Sequence, residues 1–143
     1  MDVETADVAS GRSQLRVFDV QSLVSGAKAV EYTDGDVMGW GLRNSVGIAH
    51  NPTTGDIWAV DKSLDDTHRF GVDIHNSNPG EGMNFYGRTN DTANYGRNFG
   101  YPGCLAVFDT TNVETYIHGL QKPMIGDQFV GDHQPQYSDL WCR

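Results

Sequence analysis

Short apolar segments separated by turn signals run through much of the chain, and they predict β-strands. Leu15–Val20 alternates apolar and polar residues, which is typical of a strand with one buried face. The turn signal Asp34-Gly35 precedes a second predicted strand. Two further strands are predicted in the segments 83–90 and 105–113.

The clearest single unit is a β-hairpin near the middle of the chain. Val46 and Ile48 alternate with small residues, and the segment from Ile57 to Val60 returns after a polar turn. The turn residues 51–55 read Asn-Pro-Thr-Thr-Gly, so the connection is longer than two residues.

The other segments lack a clean period. A polar loop is predicted over 65–82 and a glycine- and aromatic-rich loop over 94–104, and the chain is irregular from residue 114 onward. Long helical periodicity is absent. Short strands at this spacing predict an all-β fold, either a sandwich, a barrel or a set of propeller blades.

The hairpin sequence NPTTGDIWAVD, residues 51–61, favours the propeller, because a similar polar turn between two inner strands recurs in propeller blades. The residues before the first strand and after the second strand then lie at the same end of the sheet. Those residues are Arg43-Asn44 and Asp61-Lys62-Ser63. Loops on a rigid scaffold commonly carry function, so a binding site is predicted there.

Charge and length exclude some classes of partner. The 143 residues carry a formal net charge of −9 with scattered acidic residues, which disfavours nucleic acid and anionic membranes as partners. No apolar run approaches a bilayer span, so no membrane partner is predicted. The acidic, polar first 14 residues do not have the pattern of a signal peptide.

The two cysteines, Cys104 and Cys142, fit no zinc-binding spacing. They either form a disulfide in a secreted protein or are two unrelated buried thiols, and the disulfide is favoured. Asn90-Asp91-Thr92 is a glycosylation sequon, with Asn90 as the acceptor. Together, the cysteines and the sequon predict an extracellular protein.

Three stretches carry a resemblance to a known family. Residues 39–66, 71–87 and 94–109 resemble the soluble quinoprotein glucose/sorbosone dehydrogenases, and in particular the fungal-type pyrroloquinoline-quinone-dependent pyranose dehydrogenases. Members of that family are longer, six-bladed β-propellers. The resemblance implies that residues 1–143 are a partial propeller domain of about two blades with an irregular C-terminal segment.

The same resemblance implies a cofactor site. Pyrroloquinoline quinone carries three carboxylates and an ortho-quinone, so it requires fixed cations and hydrogen-bond donors. The matching positions are Arg43, Asn44 and Lys62. In the family, carbonyl oxygens after the second hairpin strand bind calcium, which matches Ser63 and Leu64 here.

The implied reaction is transfer of a hydride from a sugar carbinol to the quinone, with electrons passing on to an acceptor such as a cytochrome domain. The family's general-base histidine lies in an earlier blade, so no catalytic residue is assigned in this chain, and the chain alone is expected to be inactive. The five histidines form no metal-ligand pair. His68, His75, His118 and His133 are expected to be solvated in polar loops, and His50, next to the hairpin turn, is expected to be structural. Where some relatives carry two adjacent acids, this chain has Glu81 followed by Gly82.

Alternatives remain open at each position. Arg43 could pair with a nearby acid, Asn44 could only turn the chain, and Asp61 and Lys62 could be solvated charges. Two other functions also remain: a metal-dependent lactone hydrolase on a related propeller, and a propeller without catalysis that binds glycans or protein partners.

Overall fold

The computed structural model describes residues 3–26, 29–111, 113 and 123–142, and this part of the chain is mostly β. The strands are β1 (Gln14–Val17), β2 (Asp36–Trp40), β3 (Ser45–His50), β4 (Asp56–Asp61), β5 (His68–Arg69), β6 (Val72–Asp73), β7 (Gly82–Arg88), β8 (Arg97–Asn98), β9 (Cys104–Ala106) and β10 (Gln128–Val130). The helices are α1 (Val20–Gly26) and four 3₁₀ turns, Val3–Ala6, Val8–Ser10, Tyr32–Asp34 and Thr92–Asn94.

Two three-stranded sheets carry most of the structure. In one sheet β4 is central and pairs antiparallel with β3 and β7. In the other sheet β2 is central, with β1 antiparallel and the short β8 parallel to it. Two-stranded ladders join β5 to β6 and β9 to β10.

The predicted hairpin is confirmed as β3 and β4, and its turn is held locally. The side-chain oxygen of Asn51 accepts hydrogen bonds from the backbone amides of Thr53 at 2.9 Å and Thr54 at 3.3 Å. Gly55 then adopts a φ of +80°, a conformation that glycine reaches without steric cost. Asparagine and glycine thus define the turn that the sequence predicts.

Five predictions about secondary structure need correction. The strand predicted over 105–113 is the shorter β9, which ends at Ala106, and β10 lies in the segment from residue 114 onward that is predicted to be irregular. The strand predicted over Leu15–Val20 ends at Val17, and Val20 begins α1 instead. The predicted polar loop over 65–82 contains the β5–β6 hairpin, and the glycine-rich loop over 94–104 contains β8.

In the part of the chain that is described, no helix combines the length and apolar character needed to cross a membrane.

Two separate groups of buried side chains form the interior. We call the first the sheet core; its buried members are Met38, Leu42, Ala59 and Tyr86. We call the second the C-terminal core; its buried members are Ile74, Leu105, Val107, Val113 and Phe129. Leu64 packs against the C-terminal core, while Leu42 belongs to the sheet core. The segments just before β3 and just after β4 are therefore anchored in different cores.

The C-terminal segment is attached by a covalent bond and by a buried ion pair. Cys104 and Cys142 form a disulfide with Cα atoms 5.6 Å apart, which confirms the predicted pair. Arg69 on β5 binds the carboxylate of Asp139, and both side chains are buried. The other oxygen of Asp139 accepts the backbone amide of Val130 at 2.9 Å. Burial of this charged pair is tolerated because hydrogen bonds serve both partners.

Several large apolar side chains on the β3–β4–β7 sheet are exposed. Val60 and Met83 lie opposite each other on β4 and β7, with 45% and 72% of their surface exposed. Val46 and Ile48 on the edge strand β3 are 66% and 58% exposed. Apolar sheet surface next to an open edge is prone to association with another chain.

We expect the disulfide to stabilise the folded state by restricting the unfolded chain. The two cysteines are 38 residues apart, and closing such a loop is worth about 4 kcal/mol in the chain-entropy model. The double variant Cys104→Ala, Cys142→Ala in the full-length protein should therefore unfold at a lower denaturant concentration. Reductant should lower the midpoint of the wild type and leave that of the double variant unchanged. Equal midpoints for oxidised wild type and double variant would contradict the prediction.

The exposed apolar side chains predict that residues 1–143 expressed alone associate. Analytical ultracentrifugation should show self-association that increases with concentration, because burial of these side chains against another copy is favourable. The double variant Ile48→Lys, Met83→Lys should be more nearly monomeric. Thr53→Lys in the exposed turn adds a charge without removing apolar surface and serves as the control. A monodisperse wild-type monomer that melts cooperatively would argue against the prediction.

Candidate functional site

The register of the β3–β4 hairpin brings the two predicted site segments together. Ser45 lies opposite Asp61, so the residues before β3 and those after β4 leave the sheet at the same end. The backbone amide of Lys62 donates to the carbonyl of Asn44 at 3.0 Å, which extends the pairing beyond the strands. The sequence-based placement of Arg43-Asn44 beside Lys62-Ser63 is thus reproduced.

The carboxylate of Asp61 holds the segment that carries Arg43 and Asn44. One oxygen accepts the backbone amide of Arg43 at 2.8 Å, and the other accepts the backbone amide of Asn44 at 2.7 Å. The hydroxyl of Ser45 lies 3.4 Å from that second oxygen. Asp61 is therefore more than the solvated charge that the sequence left open, because both of its oxygens bind backbone donors.

Two cations meet at a single carboxylate beside this segment. The guanidinium Nη2 of Arg43 lies 2.8 Å from one oxygen of Asp65, and the Nζ of Lys62 lies 3.2 Å from the other. The Arg43 side chain is 22% exposed, whereas that of Asp65 is 65% exposed. Arg43 does pair with a nearby acid, and the pair shows that Arg43 and Lys62 can grip one carboxylate together.

The positive surroundings lower the pKa of Asp65 below its ordinary value of 3.8. The hydrogen bond from Lys62 contributes most, followed by the hydrogen bond from Arg43 and its charge. These interactions favour the ionised form of the carboxyl group. The two cations therefore stabilise negative charge at this position.

The predicted calcium positions follow directly on the same segment. The backbone amide of Ser63 donates to Glu81 at 2.6 Å, and the carbonyl of Leu64 accepts the Thr67 hydroxyl at 2.9 Å. A carbonyl oxygen has two lone pairs, so this bond leaves Leu64 one further acceptor position. The described residues contain no group of three or more His, Cys, Asp or Glu side chains arranged to hold a metal.

A small cleft opens next to these residues. Its volume is about 70 Å³. Arg43, Asp61, Ser63 and Leu64 contribute to one side of the lining. The sequence had not singled out several other lining residues, which include Asn84, Phe99, Leu105 and Gln128.

Two tyrosines of the glycine-rich loop, Tyr95 and Tyr101, have different surroundings. Tyr101 lines the cleft. Tyr95 does not; its hydroxyl donates to the carbonyl of Thr89 at 2.7 Å, and its ring packs against the sheet core. The hydroxyl of Tyr86 lies near Asn84 and Ser45 without a hydrogen bond of regular geometry, and burial raises the pKa of this group.

The remaining predicted residues lie away from this end of the sheet. Asn90 is exposed in the turn after β7, beyond the end where Arg88 pairs with Asp56. His118 lies outside the described residues. His133 was expected in a solvated loop, but it is half-buried, and its Nε2 lies 3.0 Å from the carbonyl of Pro102.

Comparison with known proteins gives consistent matches. A model of the TrAA12-like family matches residues 1–143. The chain is 43% identical over 132 residues to a pyrroloquinoline quinone-dependent sugar dehydrogenase from Hypocrea jecorina (strain QM6a), covering 92% of this chain and 30% of that protein. It is 36% identical over 148 residues to a pyrroloquinoline quinone-dependent pyranose dehydrogenase from Coprinopsis cinerea, covering 100% of this chain and 19% of that protein.

Solved structures match over almost the whole chain. The calcium structure of a Trichoderma reesei carbohydrate-active enzyme of family AA12 superposes with a TM-score of 0.85 at 42% identity, covering 99% of this chain and 34% of that chain. The holo form of the pyranose dehydrogenase PQQ domain from Coprinopsis cinerea superposes with a TM-score of 0.78 at 33% identity, with the same coverage. The chain thus spans about a third or less of the proteins it matches.

The contacts of Asp65 predict a measurable titration. Because its pKa is lowered in the folded state, its contribution to stability is complete above the ordinary value of 3.8 and is lost as the pH falls through the lower, folded value. Lys62→Ala should raise the pKa of Asp65 toward 3.8, as should Arg43→Ala, and NMR titration of the Asp65 carboxyl carbon measures this change.

Asp109 is the internal control for this titration. Its pKa is also lowered, by hydrogen bonds from the backbone amide and then the side chain of Thr111, so neither substitution should change it. If the pKa of Asp65 is the same in wild type and both variants, the simultaneous contact of Asp65 with Arg43 and Lys62 is excluded.

Proposed function

Since the chain belongs to the TrAA12-like family, we propose that it is part of a quinoprotein sugar dehydrogenase that uses pyrroloquinoline quinone and calcium. The names of its relatives support the activity class. Because the chain spans 30% and 19% of those relatives, the activity, substrate and electron acceptor of the whole protein are part of this proposal.

The observation that carries the proposal is the convergence of Arg43 and Lys62 on the carboxylate of Asp65. The cofactor has three carboxylates, and the contacts with Asp65 show that both cations can reach a single carboxylate. An arginine fork with a second cation beside it favours a carboxylate over a neutral ligand. The donor set at this end of the sheet therefore fits the cofactor's chemistry.

Each residue at the site has a distinct proposed role. Arg43 and Lys62 bind carboxylate or quinone oxygens of the cofactor, and the Asn44 amide donates a hydrogen bond that orients it. The carbonyl oxygens of Ser63 and Leu64 bind calcium, which prefers such oxygen ligands. When bound, the quinone would accept a hydride from the sugar carbinol, with calcium as the Lewis acid.

We also propose the larger architecture that the resemblance implies. In it, residues 1–143 form about two blades of a six-bladed propeller, and the β3–β4–β7 sheet belongs to one blade. The general-base histidine lies in another blade, so this chain by itself would be inactive. The exposed apolar side chains of β3, β4 and β7 are consistent with a neighbouring sheet packing there.

An extracellular location is the remaining part of the proposal. The Cys104–Cys142 disulfide supports it, because disulfides persist in oxidising compartments. Asn90 is exposed in a turn, as a glycosylated asparagine must be. A sugar substrate and an electron-acceptor protein, such as a cytochrome domain, would be the partners.

The test is the cofactor affinity of Arg43 variants in the full-length protein. Arg43→Ala should weaken quinone binding by about ten- to a hundredfold, since a hydrogen bond to a charged group is worth about 1.5–3 kcal/mol. Arg43→Lys should restore only part of this affinity, because an ammonium cannot reproduce the planar fork. Apoprotein is titrated with the quinone at fixed calcium, and each variant is melted alongside.

Arg88→Ala is the matched control. Arg88 is also paired with an aspartate, Asp56 at 3.4 Å, but its side chain is more exposed than that of Arg43 and lies at the opposite end of the sheet. Its loss should leave quinone affinity unchanged. Equal quinone affinity in wild type and Arg43→Ala would remove Arg43 from the site. A purely structural role for Arg43 would instead lower the melting temperature and leave the affinity unchanged.

A further inference from the structure

We infer that Asp61 is a positioning residue, which fixes Arg43 and Asn44 for cofactor binding by holding their backbone amides. The inference rests on the proposed function. It assigns to Asp61 a role that is exerted through the backbone of Arg43 and Asn44, which are proposed to contact the cofactor. The observation behind it is the pair of hydrogen bonds, 2.8 and 2.7 Å long, from two successive amides to the two oxygens of one carboxylate.

These two hydrogen bonds make Asp61 the connection between two segments. Arg43 and Asn44 lie in the connection between β2 and β3, outside any strand. Asp61 is the last residue of β4, directly before Lys62 and Ser63. Its side chain therefore ties the first half of the proposed site to the strand end from which the second half emerges.

The two hydrogen bonds to Asp61 fix the backbone from which the Arg43 side chain extends. The bonds to Asp61 hold the amides on both sides of the Arg43 α-carbon, and the Lys62 amide holds the Asn44 carbonyl at 3.0 Å. With the backbone held at these points, the guanidinium has less freedom to lose when it binds a ligand. Preorganisation of this kind increases affinity by lowering the entropic cost of binding.

Both hydrogen bonds can form only if the side chain at position 61 has two acceptor oxygens. A carboxylate offers an acceptor on each oxygen, so it satisfies both amides at once. The side-chain amide of Asn has the same shape, but it replaces one acceptor with an NH₂ donor. That donor would face a backbone N–H, so Asp61→Asn should keep one bond and break the other.

The experiment is a double-mutant cycle in the full-length protein, with pyrroloquinoline quinone as the probe at saturating calcium. Asp61→Asn should weaken quinone binding by about tenfold, because Arg43 and Asn44 would then lose more conformational freedom when the quinone binds. In the Arg43→Ala background, the same substitution should weaken binding by less than about threefold, because contacting residues are not additive. Equal losses in both backgrounds would mean that Asp61 has only a general structural role.

A second readout needs no cofactor. Hydrogen exchange at the backbone amides of Arg43 and Asn44 should be faster in Asp61→Asn than in the wild type, while amides in the centre of β4 keep their protection. If Asp61→Asn fails to fold, Asp61→Glu supplies the test, because it keeps both acceptors on a longer side chain. Asp61→Glu should bind the quinone more weakly than the wild type and exchange both amides faster, because its longer side chain displaces the two acceptors. Where Asp61→Asn also folds, the effects of Asp61→Glu should be the smaller ones. Wild-type exchange at both amides in Asp61→Glu and in Asp61→Asn, with wild-type affinity, would overturn the inference.

Asp56→Asn is the matched control for Asp61→Asn. It makes the same substitution at the other end of β4, where Asp56 contacts Arg88. It should leave quinone affinity and the exchange of the two amides unchanged. Failure of the inference is distinguishable from failure of the proposed function. Weaker binding in Arg43→Ala with wild-type binding in Asp61→Asn rejects only the positioning role, whereas wild-type binding in Arg43→Ala rejects the cofactor site.

Discussion

The pairing of β4 with β3 and β7 is the constraint on which the candidate site depends. In this register, Ser45, Asp61 and Gly82 lie in one row at the same end of the sheet. The proposed cofactor and calcium residues lie beside two of these three: Arg43 and Asn44 precede Ser45, and residues 62–64 follow Asp61. A slip of one residue would turn Asp61 to the opposite face of the sheet and separate it from the amides that it binds. Backbone pairing within the sheet thus sets the geometry of the candidate site.

Local signals in the sequence were sufficient to predict the hairpin and the meeting of the segments before β3 and after β4. Alternation, Asn51 and Gly55 identify β3, β4 and their turn without reference to the rest of the chain. The β5–β6 hairpin could not be found in this way. Its buried Arg69 depends on Asp139, which is 70 residues away in sequence, so a polar segment becomes part of the interior through a partner that no local pattern reveals. Val20 likewise continues an alternating pattern, yet it begins a helix.

The sequence predicted which segments form the site but not how they are joined. Arg43, Asn44 and Lys62 stand out by their position beside the hairpin, and the structure brings them together. The bridging position of Asp65 and the two amide bonds of Asp61 were missed, because an acid in a polar loop has the same appearance whether it is solvated or bonded. The weak signals were position at the end of a strand, for Asp61, and spacing of three residues from a lysine, for Asp65.

The C-terminal segment is attached at three places, and this affects its susceptibility to proteolysis. Residues 128–142 are held by the β9–β10 ladder and by the buried Arg69–Asp139 pair, as well as by the disulfide. Opening the disulfide leaves the ladder and the ion pair in place. Cleavage within this segment would then require them to break as well, which links its proteolysis to a larger opening of the structure rather than to fraying of a chain end. The ladder and the buried ion pair thus keep the segment docked when the disulfide is reduced.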